Sequence, residues 1–205
     1  MLGKYYDFVE NPEEADFAVV HILSPEGNWG YSENEVEEGG TGYIPISLQY
    51  TDYTAEHARE SSIAGGDPKE NFTDRGYKGK SEKTYNIDDL NVIINTRDVM
   101  GDKPVIVMVQ TDRPFIPEFE PYADAVLLGF GVSNQAFLDI VSGGAEPYGL
   151  LPLQLPRDMK TVEEQYEDVG RDMDCYVDAD GNSYDFAFGL NWKGVIDDWR
   201  VERYK

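Results

Sequence analysis

The sequence predicts an α/β fold built on a mostly parallel sheet, and three observations lead to it. Three short apolar runs, ADFAVVHIL (15–23), KPVIVMVQT (103–111) and ADAVLLGFG (123–131), have the composition of strands shielded on both faces. Two longer runs, NIDDLNVIINTRDVMG (86–101) and SNQAFLDIVSGG (133–144), repeat apolar residues near helical spacing. Strand, helix, strand, helix in this order is the grammar of βαβ units joined by right-handed crossovers.

Each element has its own local signals. The first strand is bounded by NPEE and SPEG, and the whole segment 24–85 leaves from its carboxyl end. Within that segment, RESSIAGGDPKENFTDRGYKG (59–79) is too long and too polar to be a tight connection. Ligands of open α/β sheets gather at the carboxyl ends of the strands, so this insertion is expected where a ligand is met. In the first helix Leu90, Ile93, Ile94 and Val99 are expected to share the buried face, with Asp residues in the first turn and a Gly at the stop. The second strand opens after a Gly-Asp turn, and the Pro-rich DRPFIPEFEPY that follows it has room only for a short helix. The second helix has a Ser/Asn start, apolar Phe137, Leu138, Ile140 and Val141, and a Gly-Gly stop.

The tail, DCYVDADGNSYDFAFGLNW, reads as two short strands around a DADGN turn, with a final strand at KGVIDDWRVERY and with Trp192 and Trp199 packing the hairpin. Asp178, Asp180 and Asn182 also alternate like the start of a calcium loop. The twelfth position, where such a loop needs a bidentate Glu, is Gly189, which favours the plain turn.

Composition narrows the function. The chain has 205 residues, 40% of them apolar, which suits one domain with a sizeable core spanning 1–205. Its net charge of −23, from 40 acidic and 17 basic residues, repels phosphate backbones and argues against nucleic acid as a partner. A neutral ligand is easier to accommodate, and acidity by itself reads as solubility. One cysteine, Cys175, excludes an intrachain disulfide and a multi-cysteine zinc site, and it reads as an inert thiol. Two histidines, His21 and His57, disfavour a His-rich metal centre or a Ser-His-Asp triad; His21 is either a cleft group or a core imidazole. No apolar run approaches the ~20 residues that span a bilayer, and the first residues lack the apolar segment of a signal peptide, so no membrane partner is expected. GFGVSNQ lacks both the G-x-G-x-x-G spacing and the Walker lysine, so neither a nucleotide nor any other cofactor is expected.

Six motifs then fall into a known order: ADFAVVHI, ENFTDRGYKGK, KPVIVMVQTDRPFI, YADAVLLGFGVSNQAFLDIVSG, AEPYGLLPLQLP and FAFGLNW. Together they resemble the carboxyl-terminal α/β sandwich domain of family 3 glycoside hydrolases, the β-glucosidase group. EPYGLLPLQLP is similar to that family's NPSGKLP signature and FAFGLNW to its FGYGLSY close. The resemblance implies a three-layer α/β/α sandwich with a mostly parallel sheet, a long insertion after the first strand and a C-terminal hairpin. It also implies a preceding (β/α)8 barrel that carries the Asp nucleophile, and the chain is accordingly expected to be part of a longer enzyme acting on a β-glucoside or related carbohydrate.

Retaining glycosidases set two carboxyl groups about 5 Å apart, one attacking the anomeric carbon and one protonating the leaving oxygen. Many members of the resembled family supply the proton donor from a long loop of the sandwich, in a motif like GEGYDR. The nearest string here is KENFTDR (69–75), which makes Glu70 the candidate acid/base. Glu70 stands one residue farther from the Asp-Arg pair than in the family pattern. Glu60, in ARESS, is therefore the alternative donor, and Arg59 beside it matches the Arg that precedes the donor in the family. By the same resemblance Arg59, Phe72, Asp74 and Arg75 surround the substrate, and Asp74 and Arg75 can pair to brace the loop. Trp29, Tyr31, Tyr43, Tyr50, Tyr53, Phe72 and Tyr77 all lie in the insertion, where rings either stack on a pyranose or form the insertion's own core.

Overall fold

The computed structural model describes residues 2–61, 75–166 and 169–203. Its strands are β1 (Ala18–Leu23), β2 (Tyr53–Thr54), β3 (Ser81–Glu82), β4 (Val105–Gln110), β5 (Ala125–Gly129), β6 (Leu190–Asn191) and β7 (Gly194–Val195). The helices are α1 (Glu33–Glu37), α2 (Ile87–Met100), α3 (Asn134–Val141), α4 (Met159–Glu164) and α5 (Trp199–Glu202).

The three apolar runs form one parallel sheet in the order β1-β4-β5. Register aligns Val20 with Val107 and Val126, and Ile22 with Val109 and Leu128. Because side chains alternate along a strand, this row and Val105 present one continuous apolar face. That face packs with Leu90, Ile93 and Met100 of α2, and the cluster continues through Tyr50, Phe115, Phe119 and Leu155. Val105, Val107 and Val109 are fully buried, each stabilising the fold by about 1.5–3 kcal/mol. On the opposite face α3 lies close: a Cβ at Gly129 would stand 2.4 Å from the Phe137 ring, and that ring is 6.0 Å from His21. Helix, parallel sheet, helix are the three layers.

Helix α2, the helix expected over 86–101, departs from the expected face in one position. Leu90 and Ile93 are buried and Ile94 half-buried, but Met100 completes the stripe and Val99 is exposed. Steps of three and four from Leu90 arrive at Arg97 and Met100, whereas Val99 falls half a turn away. The first strand is also shielded less than expected. His21 and Leu23 are exposed, since β1 is an edge strand and α3 covers only part of its outer face. His21 is therefore not a core imidazole.

In the tail the DADGN turn forms as a turn. Asp178 accepts the N–H groups of Asp180 (3.0 Å) and Asn182 (2.8 Å), and an isolated bridge joins Val177 to Ser183 across it. The expected final strand is only the two residues of β7. The chain then turns into α5, whose N-cap Asp198 accepts the Arg200 N–H, a local bond that favours a helix start over an extended strand. Trp192 and Trp199 are both exposed and do not pack the hairpin, because the two-residue strands offer too little sheet surface to cover an indole.

Arg97 ties the layers together at the amino-terminal edge of the sheet. Its guanidinium donates to the carbonyls of Gly101 (2.8 Å), Lys103 (3.1 Å) and Tyr122 (3.0 Å) and to the Asp124 carboxylate. Asp124 also accepts the Val105 N–H at 2.7 Å, and that bond, followed by the Arg97 contact, holds its carboxyl below the ordinary carboxylate range. Arg97→Ala should cost about 2 kcal/mol by loss of these bonds, measured by urea unfolding. A depressed folded-state value means that the Asp124 contribution is present above its unfolded value, near 3.9, and is lost as the pH falls through the lower folded value. Asp124→Asn should therefore flatten the acid limb of the stability profile.

Candidate functional site

The carboxyl ends of β1 and β4 open on a cavity of about 300 Å³ bordered by Leu23, Glu26, Gln110, Thr111, Asp112 and Arg113. Its floor is held by α2. Asp89 accepts the Leu23 N–H at 3.1 Å, and Asn86 accepts the Glu26 N–H at 2.8 Å while donating to the Ser24 carbonyl at 3.1 Å. The acidic first turn that starts α2 thus also fixes where β1 ends.

The wall is the turn after β4. The Thr111 hydroxyl donates to the Arg113 carbonyl (2.7 Å) and accepts the Arg113 N–H (3.2 Å), which folds Asp112 and Arg113 back over the cavity. Arg113 Nε donates to Asp112 at 3.1 Å, and its guanidinium lies 4.2 Å above the ring of Trp29, whose residue is 74% exposed. Trp29 is presented by its neighbour Asn28. The buried Glu82 of β3 accepts both the Asn28 N–H (2.8 Å) and its amide (3.1 Å), and the Tyr85 hydroxyl donates to Asn28 at 2.6 Å. An exposed indole beside a guanidinium and carboxylates suits a polyhydroxylated ring, since the indole covers C–H faces while the charged groups take hydroxyls.

The insertion leaves this edge as a two-legged ribbon. β2 and β3 pair Tyr53 with Glu82 and Thr54 with Ser81, and Ala55 exchanges backbone bonds with Lys80 (3.0 Å) and Gly79 (2.8 Å). Beneath it sits a second apolar cluster of Tyr53, Ala55, Ala58, Ile116 and Met159, with Leu48, Tyr77 and Val162 half-buried around it. Arg59 leaves this cluster and donates to the Gln165 carbonyl at 2.9 Å, with its guanidinium 4.9 Å above the Tyr166 ring. Glu60 follows with its side chain 84% exposed and ion-paired to Lys78 at 2.6 Å, and it is not among the residues bordering the cavity. On the other leg the Arg75 guanidinium lies 5.9 Å from the Tyr43 ring, which meets Tyr31 edge-on at 5.7 Å. Gly42 permits that approach: at its φ of 85° a Cβ would stand 2.4 Å from the Tyr31 ring. Glu70, Phe72 and Asp74 lie outside the described residues.

Of the aromatic residues in the insertion, Tyr50 and Tyr53 are core, whereas Trp29 and Tyr31 are exposed. Lys80 steadies the excursion that carries Trp29 and Tyr31. Its ammonium reaches Thr41 (2.9 Å), the Tyr43 carbonyl (2.8 Å) and Glu35, and its bond lowers the Glu35 carboxyl below the usual range. Burial pushes the Cys175 thiol up, away from thiolate reactivity. Among the described residues no three His, Cys, Asp or Glu side chains converge as a metal site, and no helix is long and apolar enough to cross a membrane.

No protein-family model matches the chain. Curated relatives do. The chain is 43% identical over 187 residues to β-glucosidase C of Emericella nidulans, 42% over 189 residues to a probable β-glucosidase C of Aspergillus oryzae, and 30% over 188 residues to that of Aspergillus flavus. Each match takes in 91% of this chain. The chain is homologous to part of a β-glucosidase. It spans only 22–23% of the length of these relatives, which is consistent with the carboxyl-terminal sandwich that its motifs resemble. It is therefore a β-glucosidase-related domain with an α/β fold.

The motif reading passed over Glu26, Asp112, Arg113 and Glu163. The placement of TDR directly after β4 was a usable signal for two of them, by the rule that ligands meet the carboxyl ends of parallel strands. Glu163 had no such signal. It is 5% exposed, on the last turn of α4, and burial pushes its carboxyl up, against the pull of the Tyr53 hydroxyl and the His57 and Ala58 N–H groups. A raised folded-state value means that stability is lost as the pH climbs from the unfolded value, near 4.3, through the folded one. Glu163→Gln should therefore equal the parent chain in melting temperature near pH 4 and exceed it at pH 8.

Proposed function

We propose that the chain is the carboxyl-terminal sandwich domain, over 1–205, of a retaining exo-acting β-glycosidase, and that it completes an active site begun on a barrel domain. The observation that carries this reading is the pairing of 91% coverage of this chain with 22–23% coverage of relatives named β-glucosidase C. In it, the residues between the two legs of the ribbon bring a carboxyl group to a β-glucoside held by the barrel. Glu70 is the proposed acid/base and Glu60 the alternative, with Arg59, Phe72, Asp74 and Arg75 around the sugar. The carboxyl first protonates the glycosidic oxygen, then as carboxylate takes a proton from the water that releases the glycosyl enzyme.

A second reading, a carbohydrate-binding module without catalytic groups, draws on one observation. The cavity beside the Trp29–Arg113 pair has sugar-binding chemistry, and the described candidate donor, Glu60, is not part of its border.

Glu70→Ala and Glu60→Ala in the full-length enzyme separate the two. Loss of the donor should lower kcat/KM for alkyl β-glucosides by about 10²–10⁴-fold, spare dinitrophenyl β-glucoside in the first step, and be rescued by azide. Unchanged turnover in both variants would leave the binding module. The isolated chain should release no nitrophenol from aryl β-glucosides, since the nucleophile belongs to the barrel.

A further inference from the structure

Trp29 is left in water, 74% exposed, yet the backbone that carries it is fixed from several sides. Glu82, only 4% exposed, gives both carboxylate oxygens to Asn28: Oε1 accepts the N–H at 2.8 Å and Oε2 the side-chain amide at 3.1 Å. The Tyr85 hydroxyl donates to the Asn28 amide oxygen at 2.6 Å. Gly27 lets Glu82 come this close, since a Cβ there would stand 3.1 Å from its Oε1. Beyond the indole, Gly30 turns at a φ of 82° over Ile46. The Arg113 guanidinium then lies 4.2 Å over the ring. A buried carboxyl is costly to desolvate, and what this one secures is the place of an exposed ring. Order that precedes the ligand is the mark of a preorganised binding surface.

The adjoining cavity has polar groups with capacity to spare. Arg113 spends its Nε on Asp112 at 3.1 Å, and among the described residues neither of its Nη nitrogens has a hydrogen-bond partner. Asp112 and Glu26 are exposed carboxylates on the same border. Gln110 donates its amide to the Val132 carbonyl, which fixes which way the amide faces, and its Oε1 is buried with no donor among the described residues. The volume, about 300 Å³, is at the small end for ligand pockets and suits one ring rather than an oligosaccharide. An anionic ligand would satisfy Arg113 and confront two carboxylates; an ammonium would satisfy the carboxylates and confront the guanidinium. A hydroxyl both donates and accepts, so only a neutral polyol answers every group.

We propose that this cavity binds one neutral pyranose, whose C–H face lies against Trp29 and whose hydroxyls bond to Arg113, Asp112, Glu26 and Gln110. The inference deepens the carbohydrate-binding reading given above and rests on it; it involves neither Glu60 nor Glu70. Trp29 and Arg113 are the residues on which affinity depends most, the first for its apolar face and the second for two free donors and its hold on the ring.

The test is a ¹H–¹⁵N NMR titration of the 205-residue chain with methyl β-glucoside, which needs no catalytic activity. The Trp29 indole and the Arg113 and Gly131 backbone N–H signals should shift saturably, with a Kd on the order of millimolar, while the Trp192 and Trp199 indoles stay in place. Trp29→Ala and Arg113→Ala should each weaken binding at least ~10-fold, and Trp29→Phe less than Trp29→Ala. Should Arg113→Ala lose native signal dispersion, Arg113→Lys decides, since it keeps the charge without the paired donors. Glucuronate should bind more weakly than the methyl glucoside; tighter binding would overturn the assignment to a neutral ring. No saturable shift up to about 100 mM would overturn the site and the binding-module reading together. Binding that survives both Trp29→Ala and Arg113→Ala would overturn the site alone, leaving a module that holds its sugar elsewhere.

Discussion

Burial of β4 is the constraint from which the rest of this structure is arranged. A strand with Val105, Val107 and Val109 fully buried must have a strand on each edge and cover on each face, or its apolar surface and its backbone polar groups are both left in water. β1 and β5 supply the edges, α2 and α3 the cover. Parallel pairing then forces every connection to cross from the carboxyl edge back to the amino edge. All three strand tips therefore open on one side, and the cavity bordered by Leu23, Gln110 and Arg113 lies there.

What grows from that edge is held by polar contacts as much as by apolar packing. The insertion has its own small core, but two buried carboxyl groups do the aiming. Glu82 fixes Asn28, and with it Trp29, while Glu163 fixes the backbone at His57. Neither residue touches the open space of the cavity. Both are buried, and the hydrogen bonds they make define a chain direction that apolar contacts alone leave free. Surface ion pairs such as Glu60–Lys78 have no comparable influence, because water screens both partners.

The acidic balance of the chain has a bearing on the same edge. Much of its negative charge is on exposed side chains, and at the cavity Arg113 pairs with the Asp112 carboxylate while Glu26 lies on the same border. An anionic ligand would meet a repulsive field on its approach, whereas a neutral sugar would meet hydrogen-bonding groups and the indole of Trp29. This fits relatives named for action on glucosides, without requiring that the acidity itself have a catalytic purpose.

The amino-acid sequence by itself determined the three parallel strands, both longer helices, the room for no more than a short helix among the prolines, and the DADGN turn. These follow from local periodicity, caps and turn residues, each decided within a dozen positions. It also placed the insertion at the carboxyl edge, because strand order and crossover handedness leave it nowhere else. Only the tertiary structure decided that Met100 and not Val99 faces the sheet, that Trp192 and Trp199 stay in solvent while Tyr50 and Tyr53 go inside, and that Arg113 meets Trp29. The meeting of Glu163 with His57, 106 positions apart, was likewise beyond any local pattern. Such contacts depend on which surfaces the packed layers bring within a few ångströms of each other. A buried carboxyl is indistinguishable from a solvated one in sequence until those layers have closed around it.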